Sequence, residues 1–211
     1  MADKDDRQRE EVYAAERAVD WSQFGADENL GELEDVWVYI DRFMARQSFA
    51  KRYPSTYSRF NRTNQGWKSK PQRYHERSSM GYTSHPYVVG NSSGKLHGIK
   101  VMPTSRGGRA NGDTIWLNKW ARQKWIVIHE LAHVVDRNEN GCPWHIWHQG
   151  HGWQFAAIYL RLVGLAFGHN YGAEKALRAS FKEHGVKYSQ PKTERTARHP
   201  RELSDRWVTG W

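Results

Sequence analysis

The stretch "WIVIHELAHVVDR", residues 125–137, places two imidazoles and a carboxylate inside an apolar run. The run has the length and composition of a buried helix. On a helix, His129 and His133 lie about 40° apart around the axis and about 6 Å apart along it. Both imidazoles therefore leave the same face of the helix and can reach one metal ion.

Glu130 is offset from His129 by about 100° around the same helix. That offset is too large for a third ligand from the same turn, but the carboxylate can reach a water at the metal. The H-E-x-x-H spacing is the one in which two histidines bind zinc and the glutamate acts as general base. An inert helix has no reason to bury a carboxylate without a partner, because such burial costs free energy. The stretch therefore predicts a zinc site with Glu130 as its base.

A third protein ligand is expected, because catalytic zinc normally has three such ligands and one open position. The longer metzincin motif would place a histidine where Glu139 stands, so that pattern fails. The next acid along the chain is Glu174, which lies beyond the whole following helix. His145, His148 and His151 remain. We favour His151, since it stands at the entrance of the next predicted helix, whereas the other two stand in the connecting segment.

Periodicity predicts an α+β fold in one domain over residues 1–186, followed by a polar, flexible tail over 187–211. N-terminal helices are expected over about 5–20 and 32–54, the second closed by Pro54. Strands are expected within 94–103 and over 114–118, paired as a hairpin across a turn at 104–113. Further helices are expected over 119–136, 153–167 and 172–186. The zinc helix would pack on the helix that follows it.

Charge is unevenly distributed within the net +9 of the chain. Residues 1–50 hold 13 acidic and 6 basic residues, whereas residues 51–80 hold 8 basic residues and one acid, Glu76. Segment 53–86 combines these basic residues with aromatics and has no clear period, which predicts a loop insertion. The basic residues that could contact phosphates are Lys51, Arg52, Arg59, Arg62, Lys68, Lys70, Arg73 and Arg77.

Two interpretations of this basic segment stay open. Residues 51–77 could bind nucleic acid, with Tyr53, Tyr57, Phe60, Trp67 and Tyr74 stacking on exposed bases. The segment could also be a solvated loop balanced by the acidic N-terminal region, with its aromatics packed on the domain. We favour the second interpretation.

The single Cys142 excludes an intramolecular disulfide, and the charged N-terminus has no apolar stretch typical of a secretion signal. No uncharged apolar run approaches the roughly 20 residues of a membrane span. These features predict a cytoplasmic protein without a membrane partner.

The elements "HELAH" (129–133) and "HGWQF" (151–155) resemble the SprT-like group of zincin metalloproteases, in which an H-G-x-x-F element supplies the third histidine. With "RQREEVYAAE", "YIDRF", "TIWLNKWARQKWIVIHELAHVV" and "GAEKALRASFKEHGV", they resemble a zinc metallohydrolase family of actinobacteria and their phages. This resemblance covers most of residues 7–186. It implies a zincin-like fold, one Zn²⁺ held by His129, His133 and His151, and Glu130 as the catalytic acid/base. A phage-encoded member would act in the host cytoplasm.

The predicted function is zinc-dependent hydrolysis, with a peptide or protein as the default substrate. Strand 114–118 is expected to pair with an extended peptide. One alternative is a nucleic-acid-associated zinc protein that acts on DNA-linked substrates, by analogy with the SprT-like proteases. Another is a non-catalytic zinc domain whose fourth ligand is His145 or His148.

Three further positions have a functional and an ordinary interpretation. Asp136 could orient the ring of His133, or it could be a surface acid at the helix exit. Tyr159 or Tyr171 could donate to an oxyanion, although Tyr159 lies on an apolar stripe typical of a core. Cys142 is more simply a small buried residue than a ligand.

Overall fold

The structure of the protein, a computed structural model, describes residues 8–60, 72–78, 81–90, 96–97, 99–140, 150–168 and 172–189. The α-helices are α1 (Arg9–Ala18), α2 (Leu33–Met44), α3 (Gln47–Arg52), α4 (Pro54–Phe60), α5 (Lys124–Glu139), α6 (Trp153–Phe167) and α7 (Gly172–Glu183). The strands are β1 (Gln72–Ser78), β2 (Gly81–Gly90), β3 (Leu96–His97), β4 (Lys100–Pro103), β5 (Gly108–Asn111) and β6 (Thr114–Leu117). The predicted α+β class is confirmed.

Helix α5 forms the centre of the fold and is buried almost all round. Its buried residues run from Ile126 to Asp136, with His133 alone half-buried among them. Such a helix is covered by other elements on every side. It packs on α6, α4 and β5, and fully burying each aliphatic side chain contributes roughly 1.5–3 kcal/mol. The expectation that the helix carrying His129 and His133 packs on the following helix is confirmed.

Strands β4, β5 and β6 form a sheet in the order β4-β6-β5. β5 pairs antiparallel with β6 across the two-residue turn Gly112–Asp113, where Gly112 adopts φ 64°. β4 pairs with β6 in parallel. The expected hairpin between β4 and β6 is therefore wrong, because part of the expected turn is strand β5. Its sequence "GRAN" has the composition of a turn, which conceals the strand.

The central position of β6 also corrects the expected role of strand 114–118. Both edges of β6 are already hydrogen-bonded, one to β4 and one to β5. An extended peptide therefore cannot add to it. Among the described strands of this sheet, β5 is an outer strand that contacts α5.

The helix expected over 32–54 is three helices. Arg46 adopts an extended conformation, φ −67° and ψ 137°, which separates α2 from α3. Tyr53 leaves the helical region before Pro54, as the residue before a proline tends to do. Pro54 ends α3 as expected, but it also begins α4, because the first helical position needs no backbone N–H.

The expected loop over 53–86 is wrong for its described part. It contains α4 and β1, and β2 begins within it; β1 pairs antiparallel with β2, and β2 with β3. Glu139 accepts hydrogen bonds from the Thr56 backbone N–H (2.7 Å) and hydroxyl (2.8 Å), which ties α4 to the end of α5. Most of the tail predicted over 187–211 lies outside the described residues. Within the described residues, no helix has the length and apolar character that crossing a membrane requires.

Candidate metal centre

Three histidines from two elements meet beside the middle of α5. His129 and His133 come from one face of α5, and His151 comes from the turn that precedes α6. Their ligand atoms all lie within 4.8 Å of one another. The side chain of Gln8 helps hold this turn, because its amide donates to the backbone carbonyls of His151 (2.8 Å) and Lys187 (3.0 Å). The four-residue spacing of His129 and His133 on α5, together with the packing of α6 on α5, brings the three histidines together.

The geometry of the cluster fits a metal ion. Tetrahedral ligands at about 2.0–2.1 Å from zinc lie roughly 3.3–3.4 Å apart. The Nε2 atoms of His129 and His151 are 3.4 Å apart. An N–H···N hydrogen bond between His129 and His151 would explain this distance. It would not explain why the His133 ring also points to the same place. The three histidines are therefore close enough to bind a metal ion.

Glu16 on α1 orients His129. Its Oε1 lies 2.5 Å from His129 Nδ1, and both side chains are buried, with 2% and 3% of their residue surfaces exposed. A carboxylate at Nδ1 keeps the proton on that nitrogen, so the Nε2 lone pair faces the other two histidines. The aromatic rings of Phe155 and Tyr159 contact His129 at centroid distances of 5.0 and 5.3 Å. These contacts hold the ring in one orientation.

Glu130 is buried without a hydrogen-bond partner for its Oε2 atom among the described residues. Only 4% of its surface is exposed. Burial raises the pKa of the Glu130 carboxyl to about 7, with a smaller increase from the Glu16 carboxylate and an opposing effect from His129. A carboxyl with this pKa exchanges a proton readily near neutral pH.

A cleft of about 430 Å³ leads to Glu130 and His129. Its walls are aromatic and apolar, from Tyr13, Trp120, Trp125 and Ile126, with the backbone of Gly107 and Gly108 on one side. Glu16 and Arg17 complete the lining. A volume of this size is within the usual range for small-ligand and side-chain pockets.

Gly108 in β5 allows the sheet to approach the carboxylate. A Cβ atom at this position would lie 2.5 Å from Glu130 Oε1, which is closer than van der Waals contact allows. Gly107 differs, since a Cβ atom there would lie 3.5 Å from the Trp120 ring. A larger residue at 108 would therefore force the Glu130 carboxyl to shift.

The remaining predicted residues fall into two groups. Asp136 is buried and accepts a hydrogen bond from Asn140 Nδ2, so its interpretation as a surface acid is wrong. Tyr159 is fully buried in the core, where burial and the nearby Glu16 carboxylate raise the pKa of its hydroxyl. The others lie outside the described residues: Cys142, His145, His148 and Tyr171.

The basic segment is described only in part. Tyr53 and Phe60 are buried in the core, so they are not available for stacking on bases. Arg59 donates to Asn138 Oδ1 at 2.9 Å and lies over the Phe60 ring. Lys51 and Arg52 are exposed on α3. The predicted contacts through Arg62, Trp67, Lys68, Lys70, Arg73, Tyr74 and Arg77 concern residues or side chains outside the described part of the chain.

The sequence analysis missed Glu16. On α1, Val12, Ala15 and Glu16 occupy the buried stripe at helical spacing, so a carboxylate stands where an apolar residue is expected. An acid on an apolar stripe indicates that the carboxylate has a buried partner, and this was the signal that the sequence offered. Its partner, His129, is 113 residues away, and no local pattern could identify it.

Comparison with protein-family models, with curated proteins and with solved structures finds no match to this chain. The resemblance to zinc metallohydrolases therefore stays a prediction, and function must be argued from the site.

Proposed function

We propose that this protein is a zinc-dependent hydrolase and that a peptide bond is its substrate. The observation that carries the proposal is the buried Glu130 carboxylate, whose Oε2 lacks a described partner, at the end of a cleft and beside three convergent histidines. A group of three histidines that served only to tie helices together would need no such carboxylate. Burying the Glu130 carboxylate without a partner lowers the stability of the fold, and this cost favours a catalytic role.

The three histidines would hold the ion, and each has a distinct support. His129 is oriented by Glu16, His133 stacks on Phe155 at 4.2 Å between centroids, and the His151 and Tyr13 rings make an edge-to-face contact. An all-nitrogen set of this kind suits zinc. Bound zinc would act as a Lewis acid on a carbonyl and would lower the pKa of water.

Glu130 supplies the proton transfers. Its carboxylate would accept a proton from the attacking water as the water oxygen bonds to the peptide carbonyl carbon. The same carboxyl would then donate that proton to the amine as the C–N bond breaks. In the metal-free protein burial raises the pKa of this carboxyl to about 7, and a bound dication would lower that pKa and favour the ionised, proton-accepting form. Burial also excludes bulk water from the carboxyl.

A peptide is the favoured substrate because of the position of β5. This outer strand runs beside Glu130, and its backbone can offer hydrogen bonds to an extended chain. Side chains of that chain would alternate between the cleft and solvent.

The test is digestion of a peptide library by the zinc-loaded protein, with fragments identified by mass spectrometry. We expect cleavage by the wild type, none by Glu130→Gln, and none after removal of metal by a chelator. Equal cleavage by Glu130→Gln would mean that the activity comes from a contaminant. A complete lack of cleavage by the wild type would contradict the proposal.

A further inference from the structure

Arg17 is an exposed cation that lines the cleft, and its charge is not neutralised by an ion pair within the described residues. It follows Glu16 on α1, is exposed, and lines the cleft. Within the described part of the chain, no carboxylate forms an ion pair with it. Tyr13 lies one turn earlier on the same face of α1, so the two side chains form one wall.

The other charges in the lining are accounted for by the site itself. Glu16 is hydrogen-bonded to His129, and Glu130 is buried with 4% of its surface exposed. Arg17 is thus the cation in the lining that remains available to a ligand. A guanidinium binds a carboxylate through two parallel hydrogen bonds, which gives geometric selectivity as well as attraction.

The remaining walls of the cleft suit a large apolar or aromatic side chain. Trp125 is held rigidly, because it stacks on Trp21 with an interplanar angle of 2° and donates to Gln123 Oε1 at 2.8 Å. Trp120 lies opposite Gly107 and is 62% exposed, which is unusual for so large an apolar side chain. An exposed tryptophan beside a rigid aromatic wall is typical of a binding surface.

We propose that this cleft selects a substrate with an aromatic or large apolar side chain next to a carboxylate, which Arg17 binds. This inference rests on the proposed function, since it assigns substrate selectivity to the same site. The carboxylate could belong to an acidic side chain or to the C-terminus of a peptide. Both sources present the same chemistry to Arg17.

The experiment measures binding by calorimetry, in full-length protein that carries Glu130→Gln so that no ligand is consumed. The ligands are N-acetyl-Phe-Asp-amide, N-acetyl-Phe-Asn with a free C-terminus, and N-acetyl-Phe-Asn-amide, which has no carboxylate. We expect at least one acid to bind about tenfold more tightly than the amide, as a charged hydrogen-bonded pair predicts. The acid that binds more tightly shows whether Arg17 binds a side-chain carboxylate or a C-terminal carboxylate.

Two variants and one control test the assignment. Arg17→Gln should bind the acids and the amide equally, whereas Arg42→Gln, an exposed arginine on α2 away from the cleft, should keep the preference. With Trp120 intact, the protein should bind N-acetyl-Phe-Asp-amide more tightly than N-acetyl-Ala-Asp-amide. Trp120→Ala should lose this preference. Both variant positions are exposed, so folding should be preserved.

The inference is overturned if the acids bind no better than the amide, or if Arg17→Gln keeps their advantage. Neither result depends on catalysis. Failure of the proposed function would instead appear as an absence of Glu130-dependent cleavage in the library, so the two failures are distinguishable.

Discussion

Two buried carboxylates, Glu16 and Glu130, lie near His129, and they differ in whether a hydrogen-bond partner is present. Glu16, from α1, is hydrogen-bonded to the Nδ1 atom of the histidine. Glu130, from α5, has an oxygen without a partner among the described residues and lines the cleft with Gly108 beside it. A paired carboxylate can hold a ring in place, whereas an unpaired one at the end of a cleft can accept a proton from a substrate water. Under the proposed function, Glu16 is a positioning residue and Glu130 is a catalytic one.

The largest expected effect is on turnover in Glu130→Gln. The amide keeps the size of the carboxyl but cannot act as a base, so kcat should fall by about 100- to 10,000-fold. Bound metal should be unchanged, because Glu130 is offset from the three histidines. Steady-state kinetics on a cleaved peptide and elemental analysis of the same sample measure both quantities. Loss of the metal would place Glu130 among the ligands and would remove the distinction from Glu16.

Glu16→Gln should show the opposite pattern. Without the charge at Nδ1, His129 becomes a weaker ligand, and metal affinity should fall about 10- to 100-fold. Competition with a chromophoric chelator measures the affinity. Glu11→Gln, an exposed acid on the same helix, serves as the matched control and should have no effect. Unchanged affinity in Glu16→Gln would show that the hydrogen bond to His129 is only structural.

Gly108→Ala should lower kcat by about tenfold while leaving the metal bound. The new Cβ would lie 2.5 Å from Glu130 Oε1 and must displace the carboxyl, and small displacements of a catalytic group are costly. Gly107→Ala is the matched control, since its Cβ meets the Trp120 ring at an ordinary 3.5 Å. If the two variants are equally active, the close approach of β5 to Glu130 has no role in catalysis.

The smallest expected effect is on stability. In metal-free protein at pH 8, Glu130→Gln should raise the free energy of unfolding by about 1 kcal/mol, because it removes a buried, unpaired charge. The pKa of Glu130 is raised to about 7 in the folded protein, so its folding penalty develops as the pH rises from about 4.5 to 7. The gain should therefore be smaller at pH 5. Urea denaturation at both pH values measures it, and a less stable variant at pH 8 would contradict the unpaired state of the carboxyl.

The part of the site that sequence could predict is the part encoded by local spacing. His129, Glu130 and His133 lie within five residues of one helix, so helical geometry alone predicts their common face. His151 follows from its position before α6. Glu16 could not be located this way, because its contact with His129 depends on how α1 packs on α5.

The fold shows the same division. Helices α5, α6 and α7 lie close to their predicted positions, because their apolar residues recur at helical spacing. Strand β5 was missed because glycine, arginine and asparagine carry no strand signal, and its pairing with β6 forms only in the tertiary structure. The sequence therefore offered no indication that Gly108, which allows β5 to approach Glu130, belongs to the site.

The most direct test of the central claim is the metal content of the purified protein and of its histidine variants. Elemental analysis should find about one zinc per chain in the wild type, since three protein ligands form a single site. His129→Ala, His133→Ala and His151→Ala should each lose most of it, with circular dichroism confirming the fold. A wild type without stoichiometric metal, or a His151→Ala variant with full occupancy and unchanged affinity, would contradict the claim that these three histidines form the metal site.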